Sequence, residues 1–459
     1  MSSHVDILLD FNNMVSEGIG ENGLSRDEID SLKKDAAEIH RGLIDLRRLG
    51  QLPFWDLPCH DQMIAQVRSK AASIRERCET ILLLGIGGSS LGTALLAQAL
   101  AKPGSLSLRF IDDMDPREWG RIAESVDWRK TVLLTVSKSG ETLETWAAFV
   151  FFYERLREAV GTEARRHVVI VTDPSSGSLR EIAHREKIES LEIPMGVGGR
   201  YSVLSPAGIL AAACVGVDLD AVMAGARRMD ERCKQGDPWF NPALMSALVN
   251  FLHMTRRGRP LRVVMPYGGS LQAFAPWFAQ LWAESLGKTK TLDDGTLAVG
   301  GTPVVALGPR DQHSQLQLYL DGPDDKVVTF LGVEEGEDIK LAPANSLVWR
   351  EIGPRNGRGS EEIRSLAGRS VQELLTLERR ATEEALQEAG RPNQTVLLRR
   401  LDGYSLGQLI LMSELETVYT GQLLGINPFD QPAVEKIKRN IRSYLSGRIS
   451  PQKNRNFMI

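Results

Sequence analysis

The chain has 459 residues, more than one ordinary hydrophobic core accommodates, so its length favours two domains. Apolar residues make up 42% of the chain and charged residues 25%, and the formal net charge is -4, which excludes the bulk basicity of a nucleic-acid-binding protein. An anionic ligand would have to be attracted by a local site, because the overall charge repels it weakly.

The four cysteines, Cys59, Cys78, Cys214 and Cys233, lie far apart and include no Cys-x-x-Cys pair. Their spacing argues against a zinc cage or a disulfide framework and fits a reducing compartment. Acidic residues interrupt the apolar run near the N-terminus, which is unlike a signal peptide. The most apolar stretch, 209–217, is too short to span a bilayer, so we expect a cytoplasmic protein without membrane contact.

Residues 1–60 carry charged, amphipathic patterns that predict helices. Short apolar runs at 81–84, 106–111, 131–136 and 167–172 then alternate with helical patterns. This alternation is typical of βαβ units, in which helices cover both faces of a parallel sheet.

A second set of strand patterns follows at 262–266, 303–307 and 326–333, with a helix predicted over 271–286. The first strand of each set runs into a Gly-Gly-Ser turn, a weak internal repeat that indicates two α/β domains of similar build. A region rich in Gly, Arg and Glu, 351–368, predicts a loop.

The last part of the chain predicts helices at 372–389, at 405–424 and from Pro432 onward. The sequence thus predicts a doubly wound α/β fold with parallel sheets, flanked by N- and C-terminal helices. The predicted segments are an N-terminal helical segment, a first and a second α/β domain, and C-terminal helices that complete the active site: 1–60, 61–235, 236–400 and 401–459.

The first candidate motif is GIGGSS at 85–90, which follows a strand and opens a helix. Glycines let the backbone approach a ligand, and a helix N-terminus offers free N–H donors to an anion. Phosphate or sugar binding is the favoured interpretation. A dinucleotide site is weaker, because Ser90 stands where its fingerprint needs glycine, although Asp112 or Asp113 partly restores the pattern. A plain tight turn is the third alternative.

The second motif, SKSGETLET at 137–145, offers three small hydroxyls, one lysine and several backbone donors at another strand-to-helix junction. That inventory suits a phosphate monoester, whose oxygens need many donors. Since Ser, Thr and early Glu also cap helices well, a capped helix without a ligand is the alternative.

Single residues are weaker signals. Glu284 lies four residues after Gln280 on the polar side of a predicted helix, where it is a candidate general base, although a solvated glutamate is more common. His313 follows a strand, Arg200 follows two glycines that would let its fork reach an anion, and Lys438 lies one turn beyond a glutamate in an ordinary helix pair.

Two longer runs are more specific, GGRYSVLSP at 198–206 and GINPFDQPAVEKIK at 425–438. Both resemble signatures of the glucose-6-phosphate isomerase family, and the order of all the motifs from 81 to 438 matches as well. The resemblance, to the shorter bacterial forms, implies two sugar-isomerase (SIS-type) domains. It also implies interconversion of glucose 6-phosphate and fructose 6-phosphate through a cis-enediol, as in glycolysis and gluconeogenesis, without a cofactor or a metal ion.

The resemblance implies roles for individual residues. Glu284 matches the base that moves the proton, Arg200 the arginine beside the enediolate, and His313 with Lys438 the pair that opens the sugar ring. The residues that match substrate contacts are Ser89, Ser137, Lys138, Ser139, Thr142, Gln280 and Gln431. In the family the histidine comes from the neighbouring subunit, so the resemblance implies a homodimer.

Family members often have a small hydroxyl residue where this chain has Glu141. A carboxylate facing the phosphate would weaken binding, so we expect Glu141 to point away from it. The remaining alternatives are an isomerase of mannose 6-phosphate or an amino-sugar phosphate, a regulatory module that binds phosphosugars without turnover, and an NAD-dependent dehydrogenase. The two signatures oppose the first, and the joint presence of Glu284, Arg200 and His313 opposes the second.

Overall fold

The computed structural model describes residues 6–292, 295–354 and 360–447. Its strands, in chain order, are β1 (Leu8–Asp10), β2 (Thr80–Leu84), β3 (Ser107–Ile111), β4 (Thr131–Ser137), β5 (Val168–Thr172), β6 (Glu189–Glu192), β7 (Leu261–Pro266), β8 (Lys288–Leu292), β9 (Gly295–Val299), β10 (Thr302–Val305), β11 (Lys326–Glu335) and β12 (Asn393–Arg400).

The helices of the described residues surround two sheets of mainly parallel strands and connect those strands. They are α1 (Ser16–Ile19), α2 (Arg26–Asp30), α3 (Lys33–Arg48), α4 (Asp61–Arg77), α5 (Leu91–Leu100), α6 (Pro116–Ser125), α7 (Leu143–Val160), α8 (Ser178–Arg185), α9 (Pro206–Cys214), α10 (Leu219–Arg232), α11 (Pro242–Arg256), α12 (Phe274–Leu286), α13 (Leu316–Asp321), α14 (Leu347–Ile352), α15 (Ser360–Arg364), α16 (Val371–Glu388), α17 (Gly403–Leu423) and α18 (Glu435–Leu445).

The first sheet has the strand order β3-β2-β4-β5-β6, and all of its neighbouring strands are parallel. Its central strands, β4 and β5, are buried along their whole length, as expected for apolar runs covered by helices on both faces. The chain reverses its direction of winding between β2 and β4. Loops that leave the carboxyl ends of these two strands diverge there and form a crevice, where open α/β sheets bind ligands.

The second sheet has the order β1-β12-β11-β7-β10. Its strands β10, β7, β11 and β12 are parallel and repeat the order of the first four strands of the other sheet, so a second reversal lies between β7 and β11. The predicted doubly wound α/β fold is confirmed. The predicted helical segment 1–60 also contains a strand, β1, which pairs antiparallel with β12.

Helix α17 is buried along almost its whole length and packs against α10, α11 and α12. Glycines bring α10 and α17 together, because a Cβ at Gly225 would lie 1.9 Å from the Tyr404 carbonyl oxygen and one at Gly407 would lie 2.0 Å from that of Val222. The helix thereby forms a fixed support for these three helices and also packs against β12 of the second sheet.

The predicted loop at 351–368 contains the end of α14 and all of α15, while its residues 355–359 lie outside the described part of the chain. The proposed segment boundaries stay a prediction. In the described ranges, no helix combines the length and apolar character that crossing a bilayer requires.

Candidate active site

Arg200 is the centre of the candidate site, and it is only 3% exposed. Its Nε donates to Ser285 Oγ at 2.8 Å, and its Nη1 donates to Gln431 Oε1 at 2.9 Å. Its Nη2 donates to the carbonyl oxygens of Pro428 at 2.6 Å and Asp430 at 3.1 Å. With every side of its fork engaged, the guanidinium is held in one orientation.

Glu284 lies next to this guanidinium on the last turns of α12. One carboxylate oxygen is 3.4 Å from Arg200 Nη1, and the other accepts a hydrogen bond of 3.1 Å from Gln280 Nε2. The helix buries its apolar face, as its periodicity predicts, and leaves the Glu284 side chain 25% exposed. A carboxylate held this way can meet a ligand while remaining oriented by its neighbours.

The GIGGSS loop packs directly against the turn that carries Arg200 and against helix α12, which carries Glu284. A Cβ at Gly88 would lie 2.2 Å from the Gly199 carbonyl oxygen, so only glycine lets the two backbones approach this closely. A Cβ at Gly87 would lie 2.9 Å from Gln280 Nε2. Ser89, which ends the same short turn, is therefore placed beside the polar end of α12.

The SKSGET loop follows β4 on the other side of the first crevice. Ser137 and Thr142 bind each other through their hydroxyls at 2.9 Å, and Ser139 Oγ accepts from the Glu141 backbone N–H at 3.2 Å. Lys138 is exposed and lines a cavity of about 670 Å³. The loop thus has hydroxyls in a fixed arrangement, together with a cation, at the N-terminus of α7.

Glu141 turns its carboxylate toward a different helix. Its Oε1 accepts from the Ser178 N–H at 2.7 Å and from the Ser178 hydroxyl at 2.6 Å, at the first residue of α8. Both bonds lower the pKa of Glu141, and the bond from the Ser178 hydroxyl has the larger effect. The helix that Glu141 stabilises is thus α8 rather than its own, and its orientation relative to a bound phosphate stays a prediction.

The loop at 425–431 closes the site from the C-terminal side. Helix α17 ends in a reversal in which the Ile426 N–H reaches the Gly421 carbonyl at 3.0 Å, and Gly425 adopts a positive φ of 69°. Asn427 then accepts from the Phe429 N–H at 3.0 Å, which turns the chain back toward Arg200. The loop therefore carries Gln431 to the guanidinium.

A cleft of about 1050 Å³ opens beside these groups and is lined by Glu284, Gln431 and both strands of the β8–β9 hairpin. It shares residues 425–427 with the cavity that contains Lys138. The two spaces together are large enough for a phosphorylated sugar.

Tyr201 lies beneath Arg200 and supports its guanidinium. Burial raises the pKa of Tyr201 to about 12, so this support stays uncharged.

The sequence model of the Phosphoglucose isomerase family matches residues 61–456. The chain belongs to this family. It is 36% identical to a glucose-6-phosphate isomerase of Carboxydothermus hydrogenoformans, over 94% of this chain and 93% of that protein. It is 38% identical to one of Rubrobacter xylanophilus, over 95% of this chain and 96% of the relative.

Among solved structures, a hypothetical protein from Thermus thermophilus matches with a TM-score of 0.85 and 35% identity, covering 96% of this chain and 100% of that one. A glucose-6-phosphate isomerase from Chlamydia trachomatis matches with a TM-score of 0.72 and 23% identity, over 84% of this chain and 73% of that chain. The match to the Chlamydia trachomatis structure shows that the two chains share a fold.

Two of the predicted site residues do not join the cleft within one chain. His313 is exposed at the end of a short 3-10 turn, Arg310–His313. Lys438 lies on the exposed face of α18 and forms an ion pair of 2.7 Å with Glu435, the ordinary helix pair considered from its spacing. The other predicted residues lie around the first crevice and the 1050 Å³ cleft.

Sequence reasoning missed Ser285, Lys288 and the backbone carbonyls around Pro428, all of which hold the site together. Ser285 accepts from Arg200 and shares a bond of 3.0 Å with the Tyr201 hydroxyl. The sequence could have identified Ser285, because it directly follows Glu284 and helical periodicity places it on the buried face of α12. In the described residues no group of three or more His, Cys, Asp or Glu side chains is placed to hold a metal ion.

Proposed function

We propose that this chain interconverts glucose 6-phosphate and fructose 6-phosphate, as an aldose–ketose isomerase of glycolysis and gluconeogenesis. The observation that carries the proposal is the Glu284 carboxylate, 3.4 Å from the buried Arg200 guanidinium, in a cleft that shares residues 425–427 with the cavity lined by Lys138 of the loop after β4. A base beside a fixed cation is what proton transfer next to a carbonyl requires.

In this mechanism Glu284 takes the proton from carbon 2 of open-chain glucose 6-phosphate. The electron pair of that bond forms the double bond of a cis-enediolate, and negative charge develops on the carbonyl oxygen. Arg200 stabilises the charge, by about 3 kcal/mol if oxyanion-hole donors are a guide. The proton on the carbon-2 oxygen then moves to the carbon-1 oxygen, and Glu284 returns its proton to carbon 1 as the carbon-2 carbonyl forms, which yields fructose 6-phosphate.

The phosphate takes no part in the bond changes but fixes the sugar in place. Ser137, Lys138, Ser139 and Thr142 supply hydroxyls and one cation for it at the start of α7, where backbone N–H groups are also free. Ser89, Gln280 and Gln431 would contact the sugar hydroxyls. Binding energy from this remote group is used to hold carbon 2 against the base.

Ring opening requires a proton to move from the anomeric hydroxyl to the ring oxygen. We assign this step to His313 and Lys438, with the histidine supplied by the second subunit of a homodimer. In support, His313 is exposed on the second domain, and exposed apolar side chains occur on the nearby helices α13 and α16, with Leu318 56% and Leu377 48% exposed.

The homodimer is tested by mixing two inactive variants, Glu284→Gln and His313→Ala. If each site combines Glu284 of one subunit with His313 of the other, random exchange restores one intact site in each mixed dimer, about a quarter of wild-type turnover. If both residues act within one subunit, mixing restores nothing. Each variant incubated alone is the control.

The reaction itself is tested by conversion of fructose 6-phosphate to glucose 6-phosphate by the purified protein, with and without EDTA. Turnover that chelator leaves unchanged supports the proposal, because the base and the charge stabiliser are protein side chains. Loss of turnover with EDTA contradicts the metal-free mechanism. Absent turnover with intact binding of 6-phosphogluconate favours the regulatory alternative, and turnover of mannose 6-phosphate or an amino-sugar phosphate instead favours a sister isomerase.

We also propose that the protein works in the cytosol. Its four cysteines are unpaired, and Cys78, Cys214 and Cys233 are buried, as expected where disulfides do not form.

A further inference from the structure

Lys288 occupies a junction that neither its sequence context nor the mechanism above explains. It begins β8, two residues after α12 ends, and its side chain is only 9% exposed. Its Nζ donates to the backbone carbonyl of Glu284 at 3.2 Å and to the backbone carbonyl of Asp430, and it lies 3.1 Å from Asp430 Oδ1. The ammonium thus has an acceptor for each of its three hydrogens.

The Asp430 carbonyl is shared by two cations. Arg200 Nη2 donates to the same oxygen at 3.1 Å, from the opposite side of the site. One backbone oxygen therefore connects the arginine that faces the enediolate with the lysine that holds the backbone of the base. The third side of this triangle is the pair of Arg200 and Glu284, 3.4 Å apart.

The location favours a cation for two physical reasons. The last carbonyls of a helix have no intrahelical partner and carry the negative end of its dipole, so an ammonium at the end of α12 is stabilised. A nearly buried ammonium is costly unless its hydrogens are all bonded, which restricts Lys288 to the geometry that joins α12 to 425–431.

We propose that Lys288 is a positioning residue for the isomerisation: it ties the last turn of α12 to the loop that carries Gln431, and so sets the position of the Glu284 carboxylate relative to Arg200. This role rests on the proposed function. Because Lys288 acts through the backbone, its loss displaces the base without removing any group that binds the phosphate.

The test is the Lys288→Met variant, which keeps the length and apolar stem of the side chain. We expect kcat to fall about 100-fold, the loss that a misplacement of about 1 Å produces, while KM for fructose 6-phosphate changes less than about threefold. Lys288→Arg keeps the charge and the donors, so we expect it to recover most of the lost kcat. An arginine variant as impaired as the methionine variant would overturn the role of the charge.

Lys326→Met is the matched control. Lys326 is also nearly buried, at 6% exposure, and its Nζ likewise binds a backbone carbonyl, of Pro323 at 2.5 Å, and a carboxylate, of Asp325 at 2.6 Å. Neither partner lines the cleft among the described residues. We expect this variant to lose thermal stability with kcat unchanged. If Lys288→Met does the same, Lys288 is merely structural and the proposal is wrong.

Hydrogen exchange separates this proposal from the proposed function. In Lys288→Met we expect faster amide exchange in 426–431 and at the end of α12, with 137–142 unchanged. Unchanged exchange in 426–431 would overturn the connection even if turnover fell. A wild-type chain that fails to isomerise fructose 6-phosphate would contradict the proposed function, while the exchange result still decides whether Lys288 joins the two elements.

Discussion

The two sheets of this protein share the order of four parallel strands and each forms a crevice at its reversal point, yet the side chains around the two crevices differ. In the first, a Gly-Gly-Ser turn follows β2 and a loop of hydroxyls follows β4. In the second, Gly268, Gly269 and Ser270 follow β7 in the same way. The end of β11 and the loop after it, however, read Glu-Glu-Gly-Glu-Asp at 334–338.

The second crevice is a cavity of about 630 Å³ that includes Ser270, Glu335, Glu337 and Arg400. Hydrogen bonds from Arg399, at 2.7 Å, and from Arg400, at 2.6 Å, lower the pKa of Glu335 and keep it ionised. A phosphate entering this space would meet carboxylates where the first crevice offers hydroxyls and a lysine.

Helix α12 connects the second crevice with the proposed reaction site. Leu271, just before α12, lines the second crevice, while Glu284 near the end of α12 lines the cleft beside the first sheet. Glu284 lies ten positions after Phe274 along the helix, a rise of about 15 Å. The shared topology places two crevices, and the side chains at the loop positions decide which of them can bind a phosphate.

The largest expected effect comes from Glu284→Gln, which removes the proposed base and keeps the shape of the side chain. We expect kcat to fall by about 10²- to 10⁴-fold, with binding of fructose 6-phosphate largely retained. Steady-state kinetics and equilibrium binding measure the two quantities. Glu337→Gln in the second crevice should leave kcat within about twofold, and retained turnover in Glu284→Gln would mean that the base is misassigned.

Arg200→Lys is next in size. Lysine keeps the charge but not the planar fork that reaches Ser285, Gln431 and the two carbonyls, so we expect a loss of about 10²- to 10³-fold in kcat/KM. Arg400→Lys, the matched change beside the second crevice, should cost less than about twofold. Equal losses from the two variants would remove the distinction between the crevices.

The third prediction concerns the pH dependence of stability, which we expect the buried His253 of α11 to influence. Burial lowers its pKa to about 4, so between pH 6.5 and 4 the unfolded chain binds a proton that the folded chain does not. The contribution of neutral His253 to the free energy of unfolding is therefore fully present above pH 6.5 and is lost as the pH falls toward 4. We expect the free energy of unfolding to drop by about 2 kcal/mol between pH 7 and pH 5 from this residue.

Urea unfolding at the two pH values checks this dependence. His253→Gln should abolish that part of it, although the variant is less stable at pH 7 because the bond from Nε2 to the Met14 carbonyl, 3.0 Å long, is disturbed. A pH dependence equal to that of the wild type would show that other groups titrate.

The smallest effect compares one hydroxyl near each of the two crevices. Ser139→Ala removes one hydroxyl from the loop after β4, so we expect KM for fructose 6-phosphate to rise about tenfold with little change in kcat. Ser270→Ala should change neither constant by more than about twofold. A larger effect from Ser270 than from Ser139 would mean that the phosphate binds in the second crevice.

Much of the fold follows from local patterns. The strands β2, β4, β5, β7 and β11 and the two-faced helix α12 were predictable, because each is encoded within about ten residues by its periodicity and its flanking turns. Strand β1 was not, because three residues carry no usable period and only pairing with β12 makes them a strand. Strand β12 was missed as well, and so was the β8–β9 hairpin, whose polar residues alternate too weakly.

By itself the sequence determined the two glycine-serine turns, the hydroxyl loop, the family and the residue types of the reaction. Only the tertiary structure decided how Arg200 is held, because its partners Ser285 and Gln431 lie 85 and 231 residues away along the chain. The same holds for Lys288, whose bond to Asp430 spans 142 residues. Local patterns carry no information on such distances, since they arise only when α12, α17 and the first sheet pack into one core.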